Sequence, residues 1–394
     1  MDAQVDDKGE RSGRSLIYLD HAAATPVLPE VVATHAELCR RYVVNPHVGS
    51  RLGEEARRAL EQAEARLLRL LGVPRDSAHV VWTSGGTEAM NLACLGVLRR
   101  HARSAALVDP TGHAALLAPC RHYAQHENGR CQAFRATADG QLDLPAAPSP
   151  DMAGTALVAV GHVNNETGVV HDLPRLRAWL TGTAPKALLA VDAIQAFGKL
   201  DIPWHEARID LLAVSGRKIG GPAQVAALIR RKDIALTPLL FGGGQQQGLR
   251  SGTVDVVGVL GFVQAAELVC ARQRAEFDRI AVLNRHTREQ VRTRLARWQA
   301  RLISPDSASP YILSVSFPGF EGAVLMRTLA ERGIAVGVGA ACSAESAKPS
   351  HVLSAMGVGE RGARGVLRIS FGATSTTADV DALVTALDAV LAAY

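Results

Sequence analysis

Two stretches decide the fold: Ala187-Leu188-Leu189-Ala190-Val191-Asp192 and Leu211-Leu212-Ala213-Val214-Ser215-Gly216-Arg217-Lys218. Each begins as a short, unbroken apolar run and ends on residues that carry chemistry. An apolar run this short, bounded by polar residues, reads as a strand covered on both faces, and such strands belong to parallel sheets flanked by helices. Residues 156–160 form a third run of the kind, and residues 79–83 a short strand before a glycine pair. Helical stripes lie between them. Leu52, Ala56, Leu60, Ala63, Leu67 and Leu71 recur at helical spacing, as do Met90, Ala93, Cys94, Val97 and Leu98. The alternation, from about residue 50 to 250, predicts an α/β domain with helices on both faces of a parallel sheet.

Beyond residue 260 the texture changes. Residues 312–317 and 366–371 alternate in polarity; in the second, Leu367, Ile369 and Phe371 share one face and Arg368 and Ser370 the other. Val380, Leu383, Val384, Leu387 and Leu391 mark a closing helix. The reading is a large domain over residues 18–260 and a smaller α+β domain over 261–394, which the N-terminal segment can join. Residues 1–17 are expected to be a disordered leader.

Of the 394 residues, 47% are apolar and 21% charged, which is ordinary globular usage and excludes a wholly disordered chain. No apolar run approaches the ~20 residues of a membrane span, so no membrane partner is expected. The polar N-terminus lacks the apolar core of a secretory signal. Six thinly spread cysteines without a C-x-x-C pair suit a reducing, cytoplasmic setting. A net charge of +5 suits an anionic ligand and does not call for direct nucleic-acid binding.

Several motifs are excluded. No H-E-x-x-H zinc signature occurs, and no metal site is expected. Gly198-Lys199 does not close a phosphate loop, because Ala193 and Leu200 fail both required flanks. Gly337-Val-Gly339-Ala-Ala-Cys342 puts Cys where a dinucleotide fingerprint needs its last small residue.

Three strand ends remain. Ser84-Gly85-Gly86-Thr87-Glu88 follows a strand and opens a helix, where free N–H groups and the helix dipole suit a phosphate. Asp192 ends its strand, where ligands of open α/β sheets sit, and can hold a ring nitrogen protonated. Lys218, partly desolvated beside Arg217, has the surroundings that free an amine for a Schiff base. Taken singly, each has a plainer reading: a turn, a helix cap, a surface lysine. Together they supply the anion cradle, pyridinium partner and lysine that pyridoxal phosphate (PLP) requires.

At this point the chain resembles the cysteine desulfurases of the iron–sulfur assembly and nitrogen-fixation type, within the class V aminotransferase group. Seven blocks carry the resemblance: residues 19–26 (LDHAAATP), 84–88 (SGGTE), 162–168 (HVNNETG), 191–195 (VDAIQ), 215–218 (SGRK), 250–253 (RSGT) and 339–343 (GAACS). It implies the aspartate-aminotransferase-like fold, PLP fold type I, with a mainly parallel seven-stranded sheet, and a homodimer. It also implies the roles. Lys218 carries PLP, Asp192 pairs with its ring nitrogen, Gln195 with its phenolic oxygen, and His113 stacks on the ring. Gly86, Thr87, Ser215 and Arg217 hold the phosphate, and Thr253 reaches the phosphate in the neighbouring subunit. Asn165 and Arg368 bind the carboxylate of L-cysteine. Cys342, in a small-residue stretch ahead of a helix capped by Ser350, takes the sulfur as a persulfide and passes it to an acceptor protein.

The pattern is departed from where Arg217 and Gln245 replace the family's usual His and where Ser50 does the same after Gly49. The tail that helps dock an iron–sulfur scaffold is expected to be short or absent after Tyr394. These departures bear on the acceptor, which could serve iron–sulfur assembly, tRNA or DNA thiolation, or a thio-natural product. Two rivals stay open: a PLP-dependent selenocysteine or C–S lyase or aminotransferase, and a sulfur-relay subunit that needs a partner.

Overall fold

The computed structural model describes residues 16–100, 103–145, 152, 154–339 and 349–394. Cys342 and nearly all of the expected leader lie outside the described residues.

The apolar runs form the interior of a seven-stranded sheet. Its spatial order is Ala78–Thr83, Ala226–Arg231, Leu211–Ser215, Leu188–Asp192, Thr155–Gly161, Ala105–Val108 and Arg130–Ala133. Neighbouring strands from Leu211–Ser215 to Arg130–Ala133 run parallel. Ala226–Arg231 is antiparallel to both its neighbours. The reason is local: it follows Ser215 after a short turn, and only a long crossover could have made it parallel. The expected mainly parallel α/β sheet is therefore present, with one reversed strand.

The helix Gly86–Leu98 packs on one face, burying Met90, Ala93, Cys94, Val97 and Leu98. The helix Arg51–Leu70 covers the other, with Ala56, Ala63 and Leu67 inward. Leu52 departs from the expected stripe and is exposed. Ser50 caps this helix, its Oγ accepting from Gly53 N at 3.2 Å, and a residue that serves there as an N-cap fits as well as any.

The second apolar core surrounds a four-stranded antiparallel sheet ordered Arg301–Leu302, Ile312–Ser316, Val366–Ser370, Gly337–Val338. Helix Thr377–Ala393 closes it, with Val380, Leu383, Val384, Leu387 and Leu391 buried. The N-terminal segment joins this unit: Ile17–Tyr18 pairs with Ile334–Ala335, and Leu19 is fully buried in its core.

One 39-residue helix, Val256–Arg294, belongs to both cores. Its first part buries Val259, Phe262 and Val263 against the large sheet, and its later part buries Ile280, Leu283 and Val291 in the small unit. The helix is long and apolar enough by composition to span a membrane, but it packs on helices Pro29–Arg41, Arg51–Leu70 and Thr377–Ala393. We propose that the domain division lies within this helix.

Candidate active site

A cavity of about 670 Å³ opens at the carboxyl ends of the parallel strands and reaches the small unit at Arg368. Most of the side chains singled out in the sequence line it.

The cradle at Gly85-Gly86-Thr87 begins the helix Gly86–Leu98. A Cβ at Gly86 would stand 2.0 Å from Ile194 Cδ1, so a larger residue there would have to push the Ile194 side chain aside. Ser215 ends its strand nearby, and Lys218 follows on the short 3₁₀ turn Gly216–Lys218. Arg217 is exposed and lines the same wall.

Asp192 is the last residue of its strand and is buried. Its Oδ1 accepts from Ile194 N at 3.0 Å. Burial pushes its carboxyl up, although His113 and Lys218 oppose this. A carboxyl stripped of water in this way calls for a cationic N–H donor. Lys218 Nζ donates to Ala23 O. Burial, then Arg368 and Arg217, lower its pKa to about 8, which leaves a useful fraction of free amine near neutrality. Gln195 donates from Nε2 to Ala22 O at 2.9 Å.

His113 is both a cap and a cavity residue. Its Nδ1 accepts from Ala115 N at 3.1 Å, fixing the ring at the start of helix Ala114–His126. Asn164 and Asn165 divide the work of their turn. Asn164 Oδ1 accepts from Glu166 N and Thr167 N at 2.9 and 2.8 Å and shapes the turn, while Asn165 is left facing the cavity. Arg368, 2% exposed, is no surface residue. Its Nη2 meets Asp20 Oδ1 at 2.8 Å and its Nη1 donates to Asn165 O at 2.9 Å, while the buried Nε has no partner among the described residues. The side chain as a whole lines the cavity, and a guanidinium there suits a carboxylate.

Thr253 is not part of its own chain's cavity; it is exposed, and its Oγ1 accepts from Asn45 Nδ2 at 3.4 Å. Gln245, one of the family departures, braces the same loop by accepting from Gly252 N at 2.9 Å.

Sequence reasoning gave no role to Glu166, Asp20 or His351. Glu166 is buried, lines the cavity and accepts from Ser350 Oγ at 2.6 Å. A Cβ at Gly339 would come within 2.8 Å of its Oε2. One carboxyl thus touches both described flanks of residues 340–348. Ser350 caps helix His351–Ala355 as expected, accepting from Val352 N at 3.1 Å, and His351 Nε2 meets Gly112 O at 2.9 Å, next to His113. Glu166 sits within one of the quoted motif blocks, and that was the only signal available.

The residues fit PLP. A helix N-terminus without side-chain obstruction faces one end of the cavity, a buried carboxyl waits on its floor, and an amine of lowered pKa stands on its wall.

The aminotransferase class-V family model matches residues 17–383. The IscS-like cysteine desulfurase of Mycobacterium tuberculosis is 34% identical over 388 residues, covering 96% of each chain. Cysteine desulfurase IscS 1 of Archaeoglobus fulgidus is 30% identical over 378 residues, covering 95% of this chain and 96% of the relative. Among solved structures, a NifS-like protein superposes with a TM-score of 0.87 at 27% identity, covering 96% of this chain and all of that one. SspA in complex with cysteine superposes at 0.74 and 28% identity, covering 90% and 98%. With a family match over nearly its whole length, relatives of this identity and a cavity built for the cofactor, the chain belongs to the aminotransferase class-V family and, within it, to the PLP-dependent cysteine desulfurases.

Proposed function

We propose that the protein converts L-cysteine to L-alanine, moves the sulfur to Cys342 as a persulfide, and hands it to an acceptor protein. The observation that carries this reading is the convergence of Lys218, Asp192 and Arg368 on one cavity. PLP, when bound, supplies a ring that accepts electrons from the substrate Cα. Gly86, Thr87, Ser215 and Arg217 would hold its phosphate, Asp192 its ring nitrogen, Gln195 its phenolic oxygen and His113 its face.

The protein's own groups do the rest. Lys218 would hold the cofactor, and its amine, of lowered pKa, would be the base that takes the substrate Cα proton. Asp192 would pair with the ring nitrogen and keep it cationic. Arg368 and Asn165 orient the substrate through its carboxylate. The Cys342 thiolate attacks the substrate sulfur: a sulfur–sulfur bond forms, the Cβ–sulfur bond breaks, and Cβ gains a proton as alanine leaves. His113, which lines the cavity, would carry protons. The acceptor then receives the outer sulfur of the persulfide.

Two further features support a homodimer. Thr253 lies outside its own cavity, and Val43, Val48, Leu52, Leu240 and Phe241 expose apolar surface on the neighbouring segments, Phe241 by 81%. The five described cysteines are free thiols, which suits the cytoplasm.

The test is mass analysis of the purified protein after L-cysteine is added. One extra sulfur on the peptide bearing Cys342, with alanine formed alongside, is expected. Alanine and sulfide released by Cys342→Ser at the wild-type rate would overturn the sulfur route.

A further inference from the structure

Lys199 is a buried titratable group that this mechanism leaves unused. Gly198 precedes it with φ +71°. A Cβ at Gly198 would also stand 2.6 Å from Val269 Cγ2, so only glycine makes this turn. The turn sends Lys199 inward, beneath the cavity floor, where it is 8% exposed. Among the described residues it makes no ion pair. Its Nζ lies 3.4 Å from Gln195 Oε1 and 5.6 Å from the centre of the Tyr311 ring. The charged and titratable groups around it are Lys218, Arg368, His21 and Tyr311, none of them acidic at neutral pH. Burial, aided by Lys218 and Arg368, lowers its pKa to about 7.

An amine in such a place is costly to keep, and Met would fill the space without that cost. What Lys199 does is visible four residues back. Its amine carries N–H donors whether charged or neutral, and the Ala22 carbonyl can only accept. Between them the Gln195 amide has one orientation: Oε1 toward Lys199, Nε2 toward Ala22. The second N–H on Nε2 is then the amide's one free donor, and Gln195 lines the cavity.

We propose that Lys199 is a positioning residue: it locks the Gln195 amide so that an N–H, and never a carbonyl oxygen, is presented to the phenolic oxygen of bound PLP. The proposal rests on the cofactor reading above.

The test uses the PLP-loaded protein without substrate and follows the pH midpoint of its visible absorption band in the wild type, Lys199→Met, Gln195→Leu and the double variant. Lys199→Met is expected to move the midpoint by about one pH unit. In the Gln195→Leu background the same change should move it little, because the group through which Lys199 acts is gone. Thermal midpoints of Lys199→Met should equal or exceed the wild type. An unmoved midpoint in Lys199→Met overturns the proposal. So does an equal shift in both backgrounds, which would leave only the field of the charge. Lys199→Gln retains an N–H donor and gives the same reading should the Met variant fail to fold: a midpoint close to wild type supports the lock, and a shift as large as for loss of Gln195 refutes it. A wild-type protein with no PLP band would instead sink the cofactor assignment.

Discussion

The large and small sheets meet at the same cavity and furnish it in opposite ways. The large sheet places its chemistry at strand ends. Leu188–Asp192 and Leu211–Ser215 are apolar until their last residue, and Lys218 follows just beyond. The small sheet places a guanidinium in mid-strand: Arg368 lies between Leu367 and Ile369, and every residue of Val366–Ser370 is buried. A group at a strand end keeps one side toward the cavity and costs the sheet little. A charge within a strand must be neutralised by what packs on it, here Asp20 and the Asn165 carbonyl. The end groups should therefore be separable from stability, and the mid-strand group should not.

The sharpest way to break this contrast is at Lys218. Lys218→Ala is expected to abolish covalent PLP attachment and to lower alanine formation by about ten-thousand-fold or more, with a thermal midpoint within a few degrees of wild type. Absorption spectra and calorimetry on the same sample check it. A collapse in stability would erase the distinction.

Arg368→Met is next, with a fall in kcat/KM for L-cysteine of about a hundred- to a thousand-fold through loss of charge-assisted contacts to the carboxylate. The companion change Asp20→Ala leaves a buried guanidinium short of its counter-ion and should cost about 3 kcal/mol in denaturant unfolding. If Asp20→Ala costs nothing, the mid-strand charge is not held as argued.

Glu166 bridges the two regions, since its carboxyl touches Ser350 and the Gly339 position while its backbone oxygen accepts from Ser314 Oγ at 2.6 Å. Glu166→Ala should slow persulfide formation by about tenfold while leaving the PLP spectrum and its change on adding L-alanine intact. Quench-flow with thiol labelling reads the first and absorbance the second.

Legibility in the sequence followed the same divide. The strand ends were readable because an apolar run stops abruptly at Asp192 or Ser215, and a period of two or of 3.6 does not obscure such a break. Arg368 carried an alternating pattern that ordinarily means one wet face. Nothing local shows that the Asn164–Gly168 turn and Asp20 dry that face, since they come from far away in the chain. Lys199 was met only as part of a failed phosphate loop. Its meaning depends on Gln195, Ala22 and Tyr311 meeting around it, which is a tertiary fact. The strands Ala105–Val108 and Arg130–Ala133 went unread because one is short and the other is a polar edge strand. The helix Val256–Arg294 runs through both apolar cores, so no change in local pattern marks where one unit gives way to the other.

The last effect, confined to acid pH and nearly silent at pH 7.5, tests both sides of the cavity at once. His162 follows the tip of the strand Thr155–Gly161 on the large sheet, and His21 lies against Ser370 and Gly372 on the small one. Burial lowers both pKa values from 6.5 to about 4. Among the described residues neither His21 ring nitrogen has a hydrogen-bond partner, and His162 Nδ1 has none. For such a depressed base the unfolded chain takes up its proton near pH 6.5 and the folded chain only near 4. Stability is therefore full above pH 6.5 and falls between 6.5 and 4, by about 3 kcal/mol per histidine at the lower limit. Thermal midpoints of His21→Phe and His162→Phe across that window should each show a shallower acid limb than the wild type, with little difference at pH 7.5. Should only His162→Phe flatten it, the small-sheet side must be wetter than its packing implies, and the contrast between the two sheets would have to be redrawn with water reaching Arg368 from behind.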